Sequence, residues 1–184
     1  MHVAAPAWSI LGISTATEHP SPATTLVTSL VDALIDRTYS VGRVLDLAAE
    51  RTADLPRPDL LVLGLSTRRP EQALRLEKAL ALLASDTLPA LPVLLAVVDD
   101  AADASPAGSD AVGMLSARGA WVLPERLHAL RHDFHGARLP AALLAREIDG
   151  IAEEVVRRCR LPERVSPADA AHPLTPLAFL PIHC

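Results

Sequence analysis

The chain has 184 residues, of which 50% are hydrophobic and 21% are charged, so it is long enough to bury a sizeable core in one domain. Its net charge of −5 offers no basic field for nucleic acid, and no apolar run approaches the roughly 20 residues needed to cross a bilayer. Two cysteines, Cys159 and Cys184, are too few for a disulfide framework or a zinc site. The N-terminus has no basic segment ahead of its apolar residues, so we expect no secretory signal and a cytoplasmic protein.

Short, continuous apolar runs predict the strands of a parallel sheet that is buried on both faces. The predicted strands are residues 8–13, 41–47, 59–65, 92–98 and 120–123.

Apolar residues that recur at intervals of three and four predict helices between these strands. One helix starts near Thr24, and another follows Pro70, which suits a first helical turn. The core face predicted for the second helix is Ala73, Leu74, Leu76, Leu80 and Leu83. A short helix over 112–118 and a closing amphipathic helix over 140–158 complete the pattern, while 101–110 has the composition of a loop.

Strands that alternate with helices predict a parallel α/β sheet with right-handed crossovers. Five strands in this spacing indicate a flavodoxin-like three-layer sandwich with strand order 2-1-3-4-5. We expect this domain to span 1–160, followed by a tail at 161–184 whose five prolines exclude a long helix. The apolar end of the tail could dock on the domain or on a neighbouring subunit.

In such a sheet ligands bind outside the carboxyl ends of the strands, near the point where the strand order reverses. The loops after the first, third and fourth strands should therefore converge. The first loop, STATEHPSPATT, leads into a helix, whose N-terminal amides favour an anion. Hydroxyl groups that could donate hydrogen bonds to a phosphate there belong to Ser14, Thr15, Thr17, Ser21, Thr24 and Thr25.

Three stretches of the chain resemble the NADPH-dependent FMN reductases, in particular the branch that supplies reduced flavin to sulfonate monooxygenases. They are GISTATEHPSPATTLV, DLLVLGLSTRRPEQALRLEKALALL and GAWVLPERLHALRHDFHGARLPAALLAREIDGIAEEVVRR. They look like that family's phosphate loop, its flavin loop with the following helix, and its last strand, Asp-Phe loop and final helix.

The resemblance implies an NAD(P)H-dependent oxidoreductase that transfers hydride from nicotinamide to FMN. It also implies a homo-oligomer and a flavin-dependent monooxygenase as a partner. The cofactor-binding residues that it implies are Ser14, Thr15, Thr17, Ser21, Thr24, Ser66, Thr67, Arg68, Arg69 and Asp99. No side-chain acid or base is required for the hydride transfer, since the cofactors carry that chemistry.

The loops depart from the family pattern at several positions. Thr15 stands in place of a glycine, which restricts positive φ, and Arg69 stands in place of the tyrosine that would lie against the flavin. The guanidinium of Arg69 or Arg68 could stack on the ring instead. Glu18 in the phosphate loop must point outward, and Asp99 and Asp100 replace a pair of glycines. These departures support a second interpretation, a flavin-free flavodoxin-like module that acts as a binding or assembly partner.

Two further patterns are weaker. His128, His132 and His135, with Asp133, are the densest group of potential metal ligands, but they fall on a strand edge followed by a loop, where helical spacing does not bring them together. Gly64-Leu65-Ser66 is half of a nucleophile elbow without its last glycine. We expect neither a metal site nor a hydrolase.

Overall fold

The computed structural model describes residues 8–16, 18, 21–47, 55, 57–66, 72–83, 86–100, 106–134 and 142–161. In this part of the chain no helix is both long enough and apolar enough to cross a membrane.

Five strands form one sheet in which every neighbouring pair runs parallel. They are β1 (Trp8–Ser14), β2 (Ser40–Asp46), β3 (Leu60–Ser66), β4 (Pro92–Asp99) and β5 (Trp121–Leu130). The order β2-β1-β3-β4-β5 confirms the predicted order. The strand order therefore reverses between β1 and β3, which places the switch point beside the end of β1.

Four α-helices cover the two faces of the sheet. They are α1 (Pro22–Arg37), α2 (Gln72–Ala81), α3 (Pro106–Ala117) and α4 (Ala142–Cys159), and a 3-10 turn at Arg131–Asp133 follows β5. One apolar core lies between the sheet and α1 with α4, and a second lies between the sheet and α2 with α3. The three-layer arrangement is the predicted one.

The continuous apolar run of β3 is explained by these two cores. Leu60 and Val62 belong to the α1–α4 core, whereas Leu61 and Leu63 belong to the α2–α3 core, and all four are fully buried. Each such side chain contributes about 1.5–3 kcal/mol of burial free energy. A strand that is buried on both sides needs apolar residues at every position.

The close packing of α1 on the sheet depends on Gly64 in β3. A Cβ at Gly64 would lie 2.4 Å from Val27 Cγ2 and 3.2 Å from the carbonyl oxygen of Ala23. This approach holds the first turn of α1 close to the carboxyl end of β3. Gly64 therefore serves the packing of α1 on β3. The partial nucleophile-elbow pattern Gly64-Leu65-Ser66 plays no role in this packing.

Three sequence predictions were wrong in detail. Residues 106–110, predicted as loop, are the first part of α3, because Pro106 occupies the first helical position, where its missing N–H costs nothing. β5 continues to Leu130 and runs through Pro124, which an edge strand tolerates. Ala73 and Leu74 are exposed, whereas Leu76, Leu80 and Leu83 are buried as predicted.

Candidate functional site

The ends of β1, β2 and β3 place polar residues side by side at the carboxyl edge of the sheet. Ser14 lies opposite Asp46 of β2 on one side and opposite Gly64 of β3 on the other. Ser66 lies opposite Val98 of β4, one residue before Asp99. The strand ends from which the predicted loops start are therefore aligned at this edge of the sheet.

Three hydroxyl groups and one carboxylate meet at the N-terminus of α1, and we call Ser14, Ser21, Thr24 and Asp46 the hydroxyl cluster. The Thr24 Oγ1 atom lies 2.9 Å from Ser14 Oγ, 2.7 Å from Ser21 Oγ and 3.1 Å from Asp46 Oδ2. Since a hydroxyl has one hydrogen, Thr24 can donate to only one of these neighbours at a time. Ser14, Ser21 and Asp46 are all buried.

Local sequence explains why the cluster forms. Ser21 is the N-cap of α1, and its side chain accepts a hydrogen bond from the Thr24 N–H at 3.0 Å. Pro22 follows in the first turn, where its fixed φ suits the helix. The partial positive charge of the helix N-terminus also favours the Asp46 carboxylate there.

Thr15 is directed away from the cluster. Its N–H and its Oγ1 both donate to the carbonyl oxygen of Gly64, each at 2.9 Å. Thr15 does not take a positive φ, so a threonine in the glycine position does not strain the backbone. The Thr15 hydroxyl therefore fastens the loop after β1 to β3, and its hydrogen is used in that bond.

Arg75 of α2 holds the same loop from the other side of the edge. Its Nη1 donates to the carbonyl oxygen of Ala16 at 3.1 Å and lies 3.5 Å from that of Thr15. Neither Arg75 nor Asp46 was predicted from the sequence to belong to the site. Asp46 could have been found, because it is the acidic residue near the end of the second predicted strand, which lies beside the first strand in the sheet. The contact of Arg75 joins residues about 60 positions apart, so no local sequence pattern predicts it.

Glu18 extends along the carboxyl edge of the sheet, from the loop after β1 toward the turn after β5. Its Oε1 accepts from Arg131 Nη1 at 2.7 Å, and Arg131 Nε also donates to Asp100 Oδ1 at 2.9 Å. Partial burial lowers the pKa of the Arg131 guanidinium. The hydrogen bonds and the electrostatic attraction of Glu18 and Asp100 outweigh that effect, so the pKa lies above its ordinary value. The Glu18–Arg131–Asp100 bridge thus links the loops after β1 and β4.

Asp99, at the end of β4, is only 2% exposed and its Oδ2 is hydrogen-bonded to His128 Nε2 of β5. Its other oxygen, Oδ1, is buried without a hydrogen-bond partner. A second such atom is Nε2 of Gln72, in the first turn of α2 after β3. Arg75 Nε and Glu125 Oε2 are also buried atoms without a hydrogen bond. Buried polar atoms are nearly always paired, so an acceptor at the end of β4 and a donor at the start of α2, both unpaired at the carboxyl edge, point to a missing partner there.

The predicted site residues divide into three groups. Ser14, Ser21 and Thr24 come together, while Thr15 is bound to Gly64. Ser66 and Asp99 lie at the neighbouring ends of β3 and β4, with Ser66 partly buried. Thr17, Thr67, Arg68 and Arg69 lie outside the described residues.

Other reactive side chains do not add to the site. Among the described residues no group of three His, Cys, Asp or Glu side chains could hold a metal ion. His128 is paired with Asp99, and His135 is outside the described ranges. Burial raises the pKa of the Cys159 thiol to about 11, which keeps it protonated and unreactive near neutral pH.

Solved structures of other proteins share this architecture. An apo structure of NADH:FMN oxidoreductase (EMOB) superposes with a TM-score of 0.67 at 14% identity, covering 88% of this chain and 93% of that chain. A flavodoxin from the domain Archaea gives a TM-score of 0.63 at 10% identity, covering 83% and 99% of the two chains. An oxidoreductase from Corynebacterium diphtheriae gives 0.61 at 18% identity, covering 83% and 97%. The fold is flavodoxin-like.

No protein-family model matches the chain, and no curated protein matches its sequence. The resemblance to FMN reductases is therefore confirmed at the level of the fold. The chain is similar in fold both to a reductase and to flavodoxins. Which ligand this chain binds has to be argued from its own residues.

Proposed function

We propose that this protein binds FMN at the carboxyl edge of its sheet and reduces it with a nicotinamide nucleotide. Two solved structures of similar fold are described as an NADH:FMN oxidoreductase and an archaeal flavodoxin. We extend flavin binding and flavin reduction to this chain on the basis of its own polar groups at the carboxyl edge of the sheet.

The pair of unpartnered buried atoms supports the proposal most directly. The pyrimidine edge of a flavin ring presents carbonyl oxygens, which accept, beside an N–H group, which donates. Gln72 Nε2 is a donor in the first turn of α2 and Asp99 Oδ1 is an acceptor at the end of β4, and each is buried and unpaired. A flavin edge that displaced the atoms now covering them and reached both would satisfy them, which offsets a cost of about 1–3 kcal/mol for each unpaired group.

The hydroxyl cluster suits the phosphate of FMN in one respect and opposes it in another. Ser14, Ser21 and Thr24 supply hydroxyl donors at a helix N-terminus, where an anion is favoured. Glu18 is held away by Arg131. The Asp46 carboxylate, however, repels a phosphate, by about 1 to 4 kcal/mol at about 4 Å depending on the effective dielectric constant. The residues fit FMN, with a phosphate affinity that Asp46 reduces.

The remaining predicted contacts are part of the same proposal. Thr17 would add a hydroxyl to the phosphate loop, and Ser66 and Thr67 would face the flavin at the end of β3. Arg68 and Arg69 would stack on the ring in place of an aromatic side chain. When bound, FMN would supply the capacity to accept a hydride and pass on its electrons, and the protein would hold the ring and the nicotinamide within reach of each other. We further propose a homo-oligomer and a flavin-dependent acceptor protein as partners.

The function is tested by steady-state oxidation of NADH and NADPH with and without added FMN. The proposal predicts saturable oxidation that depends on FMN, and the ratio of the two rates gives the nicotinamide preference. Oxidation no faster than in a protein-free solution of FMN contradicts it.

One observation favours a second candidate, the flavin-free binding or assembly module. Asp46 occupies the N-terminus of α1 and is buried there, where a phosphate would otherwise be bound. Under this candidate the hydroxyl cluster is a structural cap, and neither FMN nor free phosphate binds at all. The two candidates therefore differ in what happens when the charge of Asp46 is removed.

A further inference from the structure

A groove lies between the C-terminal ends of α2 and α3, at the amino edge of the sheet and away from the edge proposed for the flavin. Both helices run from the carboxyl edge to the amino edge, because each joins two parallel strands. The volume of the groove is about 620 Å³, which is in the range of ligand-binding clefts. We call it the α2–α3 groove, and its lining is Glu77, Leu80, Ala81, Leu83, Leu88 and Arg118.

The α2–α3 groove has an apolar floor and a charged rim. Leu80, Leu83 and Leu88 are buried members of the α2–α3 core and form the floor. Glu77 and Arg118 are exposed, and Arg118 Nη1 donates to the carbonyl oxygen of Met114 at 3.2 Å, which holds the guanidinium along α3. An uncharged apolar segment suits this lining, because the two rim charges can remain hydrated while the floor is covered.

The described part of the chain ends close to this groove, on the other side of β5. In the last turn of α4, Arg158 Nη2 lies 2.7 Å from Glu125 Oε1, which fixes this end of the helix beside the first half of the strand. Arg118 of the groove is three residues before Trp121, the first residue of β5. Since β5 is an edge strand, a chain that continues from Leu161 has only this strand to pass. Trp121 lies there and is 44% exposed.

The sequence beyond the described residues contains a segment of matching character. Residues 173–182 read PLTPLAFLPI, with no charged side chain and three prolines. Proline restricts the segment to extended conformations, so less conformational entropy is lost when it binds. Phe179 is 18 residues beyond Leu161, a reach of about 55 Å at about 3.1 Å per residue. That exceeds the thickness of a sheet between two helical layers, about 30 Å.

We propose that residues 173–182 bind in the α2–α3 groove of the same molecule. The apolar side chains of this segment pack on Leu80, Leu83 and Leu88, and the residues that lead to it cover Trp121. Burial of these side chains favours the contact, and the covalent tether supplies a high effective concentration. The covered start of β5 is also shielded from pairing with another chain. The carboxyl edge stays open, so the inference holds whether or not FMN binds there.

The native Cys184, two residues beyond Ile182, allows a direct test in the full-length protein. In Ala81→Cys the new thiol lies in the groove, and we expect mild oxidation to join it to Cys184 within one molecule, detected by peptide mass. Ala73→Cys is the matched control, since Ala73 is equally classed as exposed and lies about 12 Å away on the same helix. The disulfide should form at least about tenfold faster at Ala81 than at Ala73. Cys159 is buried with a thiol pKa of about 11, so it competes little.

Substitution of the tail shows whether its apolar side chains direct the cross-link. Phe179→Ser/Ile182→Ser should lower the rate of Ala81→Cys to that of Ala73→Cys. Thr175→Ser, which keeps every apolar side chain of the segment, should leave the rate unchanged.

Hydrogen exchange provides a second measurement that needs no new cysteine. The Leu83 N–H donates to Leu80 and the Arg118 N–H donates to Leu115, both at the ends of the helices that border the groove. In Phe179→Ser/Ile182→Ser these two amides should exchange at least about threefold faster than in the wild type, as expected when a covering segment is released. Amides in the middle of α1, such as that of Leu30, should be unaffected.

Two results would overturn the proposal. One is an equal rate of cross-linking at Ala81 and Ala73 together with unchanged exchange at Leu83 and Arg118. The other is a disulfide that forms only between two molecules and depends on protein concentration, which would make a second copy the source of the segment. A preferred cross-link within one molecule that is lost in Phe179→Ser/Ile182→Ser supports the proposal. If Ala81→Cys does not fold, the exchange result decides alone.

Discussion

At the scale of single residues, Asp46 governs how the N-terminus of α1 can be used. Its carboxylate lies within hydrogen-bonding distance of Thr24 and is 6% exposed. The serine and threonine hydroxyls around it are the groups that a phosphate would need. A negative charge in this position weakens an anionic ligand and leaves a neutral one unaffected.

We predict that Asp46→Asn strengthens FMN binding about tenfold, which corresponds to about 1.4 kcal/mol. The amide oxygen of asparagine can still accept from Thr24, so the cluster keeps its hydrogen bond. Riboflavin, which lacks the phosphate, should bind the variant and the wild type equally well. Calorimetric titration with both ligands measures this difference.

Asp32→Asn is the matched control, because Asp32 is exposed on α1 two turns beyond Thr24. It removes the same charge at a distance where solvent screens it. Equal gains in the two variants would mean that net charge alone is responsible. Absence of FMN binding in wild type and Asp46→Asn alike would favour the flavin-free module.

At the scale of secondary-structure elements, the Glu18–Arg131–Asp100 bridge fixes the loop after β1 relative to the end of β5. Arg131 is 113 residues from Glu18 and 31 residues from Asp100 in the sequence. Surface ion pairs contribute little to stability, about 0–1 kcal/mol. We infer that the bridge matters instead because it restrains the Glu18 carboxylate at Arg131.

We predict that Arg131→Met weakens FMN binding several-fold, because Glu18 is released toward the phosphate loop. The double variant Glu18→Gln/Arg131→Met should regain the wild-type affinity. The loss should be smaller in high salt, which screens exposed charges. If the double variant binds FMN as weakly as Arg131→Met, Arg131 acts by some route other than restraint of Glu18.

The contact between α1 and β3 gives a prediction about stability. Gly64→Ala should lower the free energy of unfolding by about 1–3 kcal/mol, because the new methyl group meets Val27 and the Ala23 carbonyl. Gly150→Ala in α4, where nothing lies within 4 Å, should instead raise it by about 0.5–1 kcal/mol. Urea denaturation of the two variants measures both changes, and equal effects would contradict the close approach of α1.

Local patterns predicted the elements better than they predicted the site. Each predicted strand lies within or overlaps an observed one, because burial on both faces imposes a continuous apolar run such as that of β3. The first part of α3 and the second half of β5 were missed at Pro106 and Pro124, since proline is tolerated in the first turn of a helix and at a sheet edge.

The site was predictable where its chemistry is contained in one loop, as for Ser14, Ser21 and Thr24. Arg131 and the partner of Asp99 were not predictable, because both depend on how β5 aligns with β4. That alignment is irregular between Val93 and Leu95, and sequence spacing does not reveal such an irregularity.

At the scale of the whole molecule, the sheet order brings together residues that the sequence separates. The reversal between β1 and β3 leaves the hydroxyl cluster on one side of the switch point. On the other side lie Gln72 at the start of α2, Asp99 at the end of β4 and His128 in β5. A ligand with an anionic end and a flat polar ring could contact both sides at once. FMN has this shape, and we propose that it binds across both sides of the switch point.

The most direct test is a fluorescence titration of FMN with the wild-type protein, repeated with Gln72→Ala. We predict saturable quenching with a Kd in the micromolar range or below, and at least about fivefold weaker binding of both FMN and riboflavin when the buried donor of Gln72 is removed. Unquenched FMN at protein concentrations well above micromolar, with the protein folded by circular dichroism, would contradict the claim that this edge binds a flavin.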